Sequence, residues 1–285
     1  MSLAERYLPD PTRELPVHGK ERVSIAGVPI DAADFEHVVD RIVERALGND
    51  YGHYVVTPNA HHVMLHQSDV LFRHIYEQAF LVVADGVPLL WAARLLGRNL
   101  PSRVNGTDLL ESLCARAARL GLRVYFLGGR EGAAVAAAAH LQKRFPSLNV
   151  CGTHCPPVGF ELDRERQAAI LAHINAARPH LLFVGLGAPK QEYWMYANRG
   201  MLDVPVSLGI GVSFELVAKI VPRAPRWMQG AGLEWLFRLL AEPKRLWKRY
   251  LIGNIVFCSL IAREYFGQFG APRRPAFPPK SARDA

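Results

Sequence analysis

A few polar residues stand where short apolar runs of this 285-residue chain stop. Their types suggest a polar or anionic ligand held in a crevice. Asp85 follows directly on "LVVA", so its carboxylate could face a crevice at a strand end or cap the next helix. Thr57 and Asn59, in "VVTPNAHH", offer a hydroxyl and an amide to a polar ligand, although Asn59 could equally cap the helix that follows. Gln191 ends "LLFVGLGAPKQ", in which Gly185 and Gly187 let a backbone come close and Pro189 suits the first turn of a helix. The free N–H groups of that turn could hold a phosphate or a sugar; a plain tight turn explains the spacing equally well. Arg103, in "SRVNGTDLL", precedes another helix start and could reach an anion.

Other patterns are absent or weaker. "GLGAPKQ" is no dinucleotide fingerprint, because Lys190 occupies the place of the third glycine; "GIGVSF" and "FLGGREG" also fail, and there is no G-x-x-x-x-G-K-[ST] loop. His61, His62 and His66 include an i, i+4 pair, but no carboxylate matches it, so they read as core or surface histidines. Cys151, His154 and Cys155 share "NVCGTHCPP", a stretch that reads as a turn and could form a metal knuckle. No second ligand cluster accompanies it, so the four cysteines are expected to be reduced, buried thiols and no metal site is expected.

These residues need a frame that brings them together. Apolar, β-branched runs recur as "RVSIAGVPI", "HYVVTPN", "LVVADG", "RVYFLGG", "LLFVGLG" and "VPVSLGIG", separated by amphipathic stretches such as "DFEHVVDRIVERAL" and "GTDLLESLCARAARLG". That alternation predicts an α/β fold, a Rossmann-like, mostly parallel sheet flanked by helices. The ligand crevice of such a sheet lies beyond the carboxyl ends of its strands. Thr57, Asn59, Asp85, Gly185 and Gly187 all fall at such ends.

Charge divides the chain. Residues 220–285 hold 12 basic and 4 acidic residues, which accounts for the whole net charge of +8. Within that part, Pro243 is expected to begin or break a helix, and Lys244, Arg245, Lys248 and Arg249 then alternate in pairs with Leu246, Trp247, Tyr250 and Leu251. A basic face beside an aromatic and aliphatic one suits a helix lying on an anionic membrane surface. The apolar run from Leu251 to Ala262 is too short to span a bilayer, so it lies on a membrane or packs on the body. The expected organisation is an N-terminal extension over 1–22, a catalytic α/β domain over 23–219, a membrane-associating helical appendage over 220–269 and a disordered tail over 270–285. The first residues lack the apolar core of a signal peptide.

In order along the chain, "TPNAHHV", "ADGVPLLWAARLLG", "RVNGTDLL", "YFLGG", "FVGLGAPKQEYW", "GIGVSFE" and "RAPRWMQGAGLEWLFRLLAEPKRLWKRY" resemble the WecG/TagA/CpsF family of bacterial glycosyltransferases, family 26, over Val23 to Tyr250. The resemblance implies inverting transfer of a sugar (N-acetylmannosamine, its uronic acid, or a hexose) from a UDP-sugar donor to a polyprenyl-diphosphate-linked acceptor. The product would serve cell-surface or exopolysaccharide synthesis, on the inner face of the plasma membrane. By matching position, Asp85 would be the general base. Thr57, Asn59 and Gln191 would orient the sugars, Arg103 would lie near the substrate phosphates, and Arg238, Arg245 and Lys248 would close over the nucleotide diphosphate. Lysine at 248 would forgo a bidentate phosphate contact that arginine could make. No cofactor is implied. No Asp-x-Asp motif occurs in the chain, which fits stabilisation of the leaving group by arginine rather than by a divalent ion.

Two other classes stay in view. An NAD-type oxidoreductase would share the α/β pattern but lacks the fingerprint. A basic-tailed nucleic-acid-binding module would share the charge, yet tryptophan and leucine interleaved with the basic residues favour lipid, so no nucleic-acid partner is expected. The oligomeric state is left open, a homo-oligomer included.

Overall fold

A computed structural model describes residues 22–247 and 251–270. Lys248, most of the expected N-terminal extension and all but the first residue of the expected tail lie outside the described residues, as does the side chain of Arg245.

Six strands form a wholly parallel sheet: β3 (His53–Val56), β4 (Leu81–Val82), β5 (Arg123–Gly128), β6 (Asn149–His154), β7 (Leu181–Gly185) and β8 (Val206–Gly209), in the spatial order β4-β3-β8-β7-β5-β6. The fold is thus the Rossmann-like α/β architecture that the alternating pattern predicts. Its inner strands are apolar at nearly every position because both faces are covered. Tyr54, Val56, Tyr125, Leu127, Leu182 and Val184 enter one core, and Val55, Val124, Phe126, Leu181, Phe183 and Leu208 the other.

The first core is covered by α2 (Ala60–Ser68), α3 (Val70–Gln78), α4 (Val87–Leu95), α7 (Arg164–Ala177) and α8 (Lys190–Asn198). The second is covered by α1 (Phe35–Leu47), α5 (Gly106–Leu120), α6 (Ala133–Arg144) and α9 (Ser213–Val217). In α6 the buried positions are Ala133, Ala134, Ala137, Ala138 and Leu141, small enough for the helix to lie close against β6 and α9.

Two expectations about strands need correction. "RVSIAGVPI" is no strand of the main sheet. It is a separate hairpin, β1 (Arg22–Ile25) antiparallel to β2 (Val28–Asp31), turned by Ala26 and Gly27 at φ 48° and 82°. Two left-handed residues make the tight turn whose twist suits such a hairpin. Asp31 then ties the hairpin to the edge of the sheet by accepting from Val82 N at 2.8 Å. "NVCGTH", read as a turn, is the edge strand β6. Cys151 Sγ there contacts the Val124 carbonyl, while Cys155 and Cys258 are exposed, so the thiols are free as expected but not all buried.

Beyond residue 219 the chain forms α10 (Arg226–Gly230), α11 (Glu234–Ala241), α12 (Pro243–Trp247) and α13 (Gly253–Gly270). Pro243 does begin a helix, where its missing N–H costs nothing. The apolar run after Leu251 packs on the body: Phe257 and Ile261 of α13 enter the first core, and the helix lies along α2. No helix among the described residues is long and apolar enough to cross a membrane.

Candidate active site

Neighbouring strands β3 and β8 send their following helices to opposite faces, α2 into one core and α9 into the other. A crevice opens at such a point beyond the strand ends. A cleft with about 230 Å³ of free volume lies there. Thr57, Asn59, Asp85, Arg103, Gly187, Gln191 and Arg238 all line it, so the structure gathers seven of the predicted site residues from five separate segments. Gly185 does not line it. Its missing Cβ instead leaves room for the Phe214 ring and the Gly211 carbonyl, which a β-carbon would approach to 2.9 and 3.0 Å.

Asp85 is a carboxylate in this lining. Its backbone N–H donates to Pro58 O at 2.9 Å, which fixes the residue beside the end of β3. Burial, and then Glu234, push its carboxyl up to about 7, against the opposing pull of Arg103, the Asn105 amide and Arg238. Asn105, absent from the sequence reading, settles the geometry. It caps α5 with Oδ1, accepting from Thr107 N at 2.9 Å, so its Nδ2 is turned to donate to Asp85 Oδ1 at 2.6 Å. The amide orientation is set by the cap, and Asp85 Oδ2 is left for a ligand. An asparagine directly before "GTD" is a recognisable N-cap signal, and its nearness to Asp85 follows only from the fold.

Several helix N-termini converge on the cleft wall. The N-terminal ends of α2, α4, α5 and α8 all face it, through Asn59 and Ala60, Gly86 and Val87, Asn105 and Gly106, and Gly187, Ala188 and Gln191. Converging helix N-termini present unpaired N–H groups and partial positive charge, a setting for a phosphorylated ligand. Arg103 adds a guanidinium but spends it on Glu234 at 3.1 Å and Asp108 at 3.4 Å, and Arg223 meets the other oxygen of Asp108 at 2.6 Å. Arg238, four residues after Glu234 on α11, makes no ion pair among the described residues and faces the cleft.

The remaining predicted residues are already engaged. The Thr57 hydroxyl donates to Gly209 O at 3.0 Å, and Asn59 caps α2 by accepting from His61 N. Gln191 is buried with both ends of its amide occupied: Oε1 accepts from Gly211 N at 3.0 Å and Nε2 donates to Glu192 Oε1 at 2.8 Å. It therefore stitches β8 to α8 at the rim. Behind it, Glu192 is wholly buried and its Oε1 lies 3.4 Å from His62 Nε2. Since His62 Nδ1 accepts from Asn59 N at 3.2 Å, the ring proton belongs on Nε2, facing Glu192. His62 and His66 are thus buried residues, with His62 at the cleft wall. Burial drops His66 to about 4, and no group of three His, Cys, Asp or Glu side chains is placed to hold a metal among the described residues. Lys190, the residue that broke the dinucleotide pattern, pairs with Glu161 at 2.6 Å, away from the cleft lining.

Comparison with known proteins adds to this geometry. The Glycosyl transferase WecG/TagA/CpsF family model matches residues 23–270. A protein of Bacillus spizizenii (strain ATCC 23059 / NRRL B-14472 / W23) is 28% identical over 228 residues, covering 78% of this chain and 86% of the relative. One of Staphylococcus aureus (strain NCTC 8325 / PS 47) is 29% identical over 227 residues, covering 79% and 87%. One of Bacillus subtilis (strain 168) is 26% identical over 228 residues, covering 80% and 86%. All three carry the name N-acetylglucosaminyldiphosphoundecaprenol N-acetyl-beta-D-mannosaminyltransferase.

Proposed function

The chain belongs to the WecG/TagA/CpsF family of glycosyltransferases, and from that premise we propose that it moves N-acetylmannosamine or a related sugar from a UDP-sugar to a polyprenyl-diphosphate-linked sugar. The observation that carries this reading is Asp85. A carboxyl raised to about 7, held by Asn105 in a cleft ringed by helix N-termini, can accept a proton at neutral pH while a phosphate departs nearby.

In the proposed reaction the acceptor hydroxyl attacks the anomeric carbon from the face opposite the diphosphate. The carbon–oxygen bond to UDP breaks as the new one forms, which inverts the centre. Asp85 Oδ2 takes the hydroxyl proton, since Oδ1 is engaged by Asn105. The diphosphate gathers charge as it leaves, and Arg238, Arg103 and the helix N-termini offset it. Arg103 must exchange a carboxylate for a phosphate to take part. Arg245 and Lys248 follow in the sequence as further basic residues proposed for the same role. Thr57, Asn59 and Gln191 act by holding the rim in place, with Gly187 supplying the positive φ of 76° that the turn into α8 takes.

Transfer of mass from a panel of UDP-sugars onto a short polyprenyl-diphosphate-sugar, read by mass spectrometry, tests this reading. UDP-N-acetylmannosamine is the expected donor. Turnover should persist in EDTA, because the leaving charge is met by arginine and backbone. A requirement for added divalent metal would overturn that assignment.

The appendage over 220–269 is proposed to hold the enzyme at the inner face of the plasma membrane, where a lipid-linked acceptor lies. Its Trp227, Leu240, Trp247, Leu251, Ile252 and Ile255 are exposed amid the chain's surplus of positive charge. The full chain should float with anionic vesicles, less so as salt rises, and not with neutral ones. Retention on RNA without vesicle binding would reverse the assignment.

A further inference from the structure

Helix α13 docks on the body by one stripe. Gly253, Phe257 and Ile261 are buried on it, four residues apart, and one turn further Glu264 accepts from Ala26 N at 2.7 Å and pairs with Arg98 at 2.5 Å. Arg98 also donates to the Ser24 carbonyl, so the hairpin turn, the end of α4 and α13 are fastened together. Asn254 lies three residues before Phe257 and seven before Ile261, on this same docked stripe, where an apolar residue would be expected. It is the single polar side chain in "LIGNIVF", and it overhangs the cleft rather than the core, as one of the residues lining it. Its amide makes no hydrogen bond among the described residues. The flanking Leu251, Ile252 and Ile255 are exposed apolar residues.

We infer that Asn254 is an acceptor-binding residue, hydrogen-bonding the polar head of the lipid-linked acceptor at the place where its hydrocarbon leaves the cleft along Leu251, Ile252 and Ile255. The inference rests on the proposed transfer to a polyprenyl-linked acceptor. A polar side chain between a polar cleft and an exposed apolar surface matches a substrate that changes from diphosphate and sugar to hydrocarbon over the same distance. Donor binding draws on the opposite requirement, since a UDP-sugar has no apolar tail to place beside α13. The head-group contact could be to the sugar or to the diphosphate, and the carboxylate variant separates the two.

The test compares wild type, Asn254→Ala and Asn254→Asp in steady-state transfer with a polyprenyl-diphosphate-sugar acceptor. Asn254→Ala should raise the acceptor KM about tenfold, the loss of one hydrogen bond, with the UDP-sugar KM and the melting temperature unchanged. Asn254→Asp should keep most of the affinity if the contact is a sugar hydroxyl, and lose more than alanine if it is the diphosphate. An acceptor KM within twofold of wild type in both variants would overturn the inference alone. So would equal rises in donor and acceptor KM, the mark of a structural role. A wild-type enzyme that transfers nothing to any such acceptor would overturn this inference and the proposed function together.

Discussion

Asp85→Asn lowers turnover by about 10²–10⁴-fold, the usual contribution of a positioned general base, and leaves UDP-sugar binding in place. The substitution is close to isosteric. The amide oxygen it introduces can still accept from Asn105, so what is removed is the proton acceptor and its charge. Wild-type activity should itself rise with pH through about 7 and fall tenfold per unit below it, because only the ionised carboxylate can accept the proton. The stability consequence has the opposite sign to the usual carboxylate. A carboxyl raised in the folded state from its ordinary 3.8 to about 7 binds more protons folded than unfolded over that interval. Stability from this group is present below about pH 4 and is lost as pH rises through 7. Asp85→Asn should therefore melt higher than wild type at pH 8, with the difference gone at pH 4. Full activity in the variant, or an activity profile flat from pH 5 to 8, would remove Asp85 as the base.

The sheet and the rim were legible in the sequence because one physical pattern encodes both. Strands buried on two faces are apolar throughout, so the first polar residue after each run marks the crevice, as Thr57 and Asp85 do. The pattern fails where burial is one-sided or brief. Strand β6 lies at the sheet edge, with Asn149 exposed and Val150 to His154 only partly covered, and its residues look like a turn. The β1–β2 hairpin was hidden because its turn uses Ala26 at a positive φ, where sequence would suggest Asn or Asp. Side-chain partners were not legible either. Gln191 was expected to reach out, yet both ends of its amide are held by Gly211 and Glu192, contacts 20 residues apart in one case and adjacent in the other. Asn105 and Glu234, which tune Asp85 from opposite directions, lie 20 and 149 residues from it, and only the folded chain brings them near.

Arg238→Ala lowers kcat/KM by about 10²–10³-fold, comparable to removal of a charge-stabilising donor from a reaction centre. Of the arginines placed at the cleft, Arg103 is held between Glu234 and Asp108, so part of its charge is already answered. Arg238 has no such carboxylate partner among the described residues, and its field reaches far enough to pull on Asp85. In the proposed reaction the same charge would act twice: it opposes the rise of the Asp85 carboxyl, and it would meet the departing diphosphate. Removing it should move the acidic limb of the pH–rate profile to higher pH, since burial and Glu234 would then push Asp85 up with less opposition. Arg238→Lys should restore the position of that limb, which needs only a positive charge. It should recover only part of the rate, because an ammonium cannot make the paired contacts a guanidinium offers a phosphate. An alanine variant that loses rate without any shift of the limb would place Arg238 on the leaving group alone. One that retains full rate would remove it from the reaction.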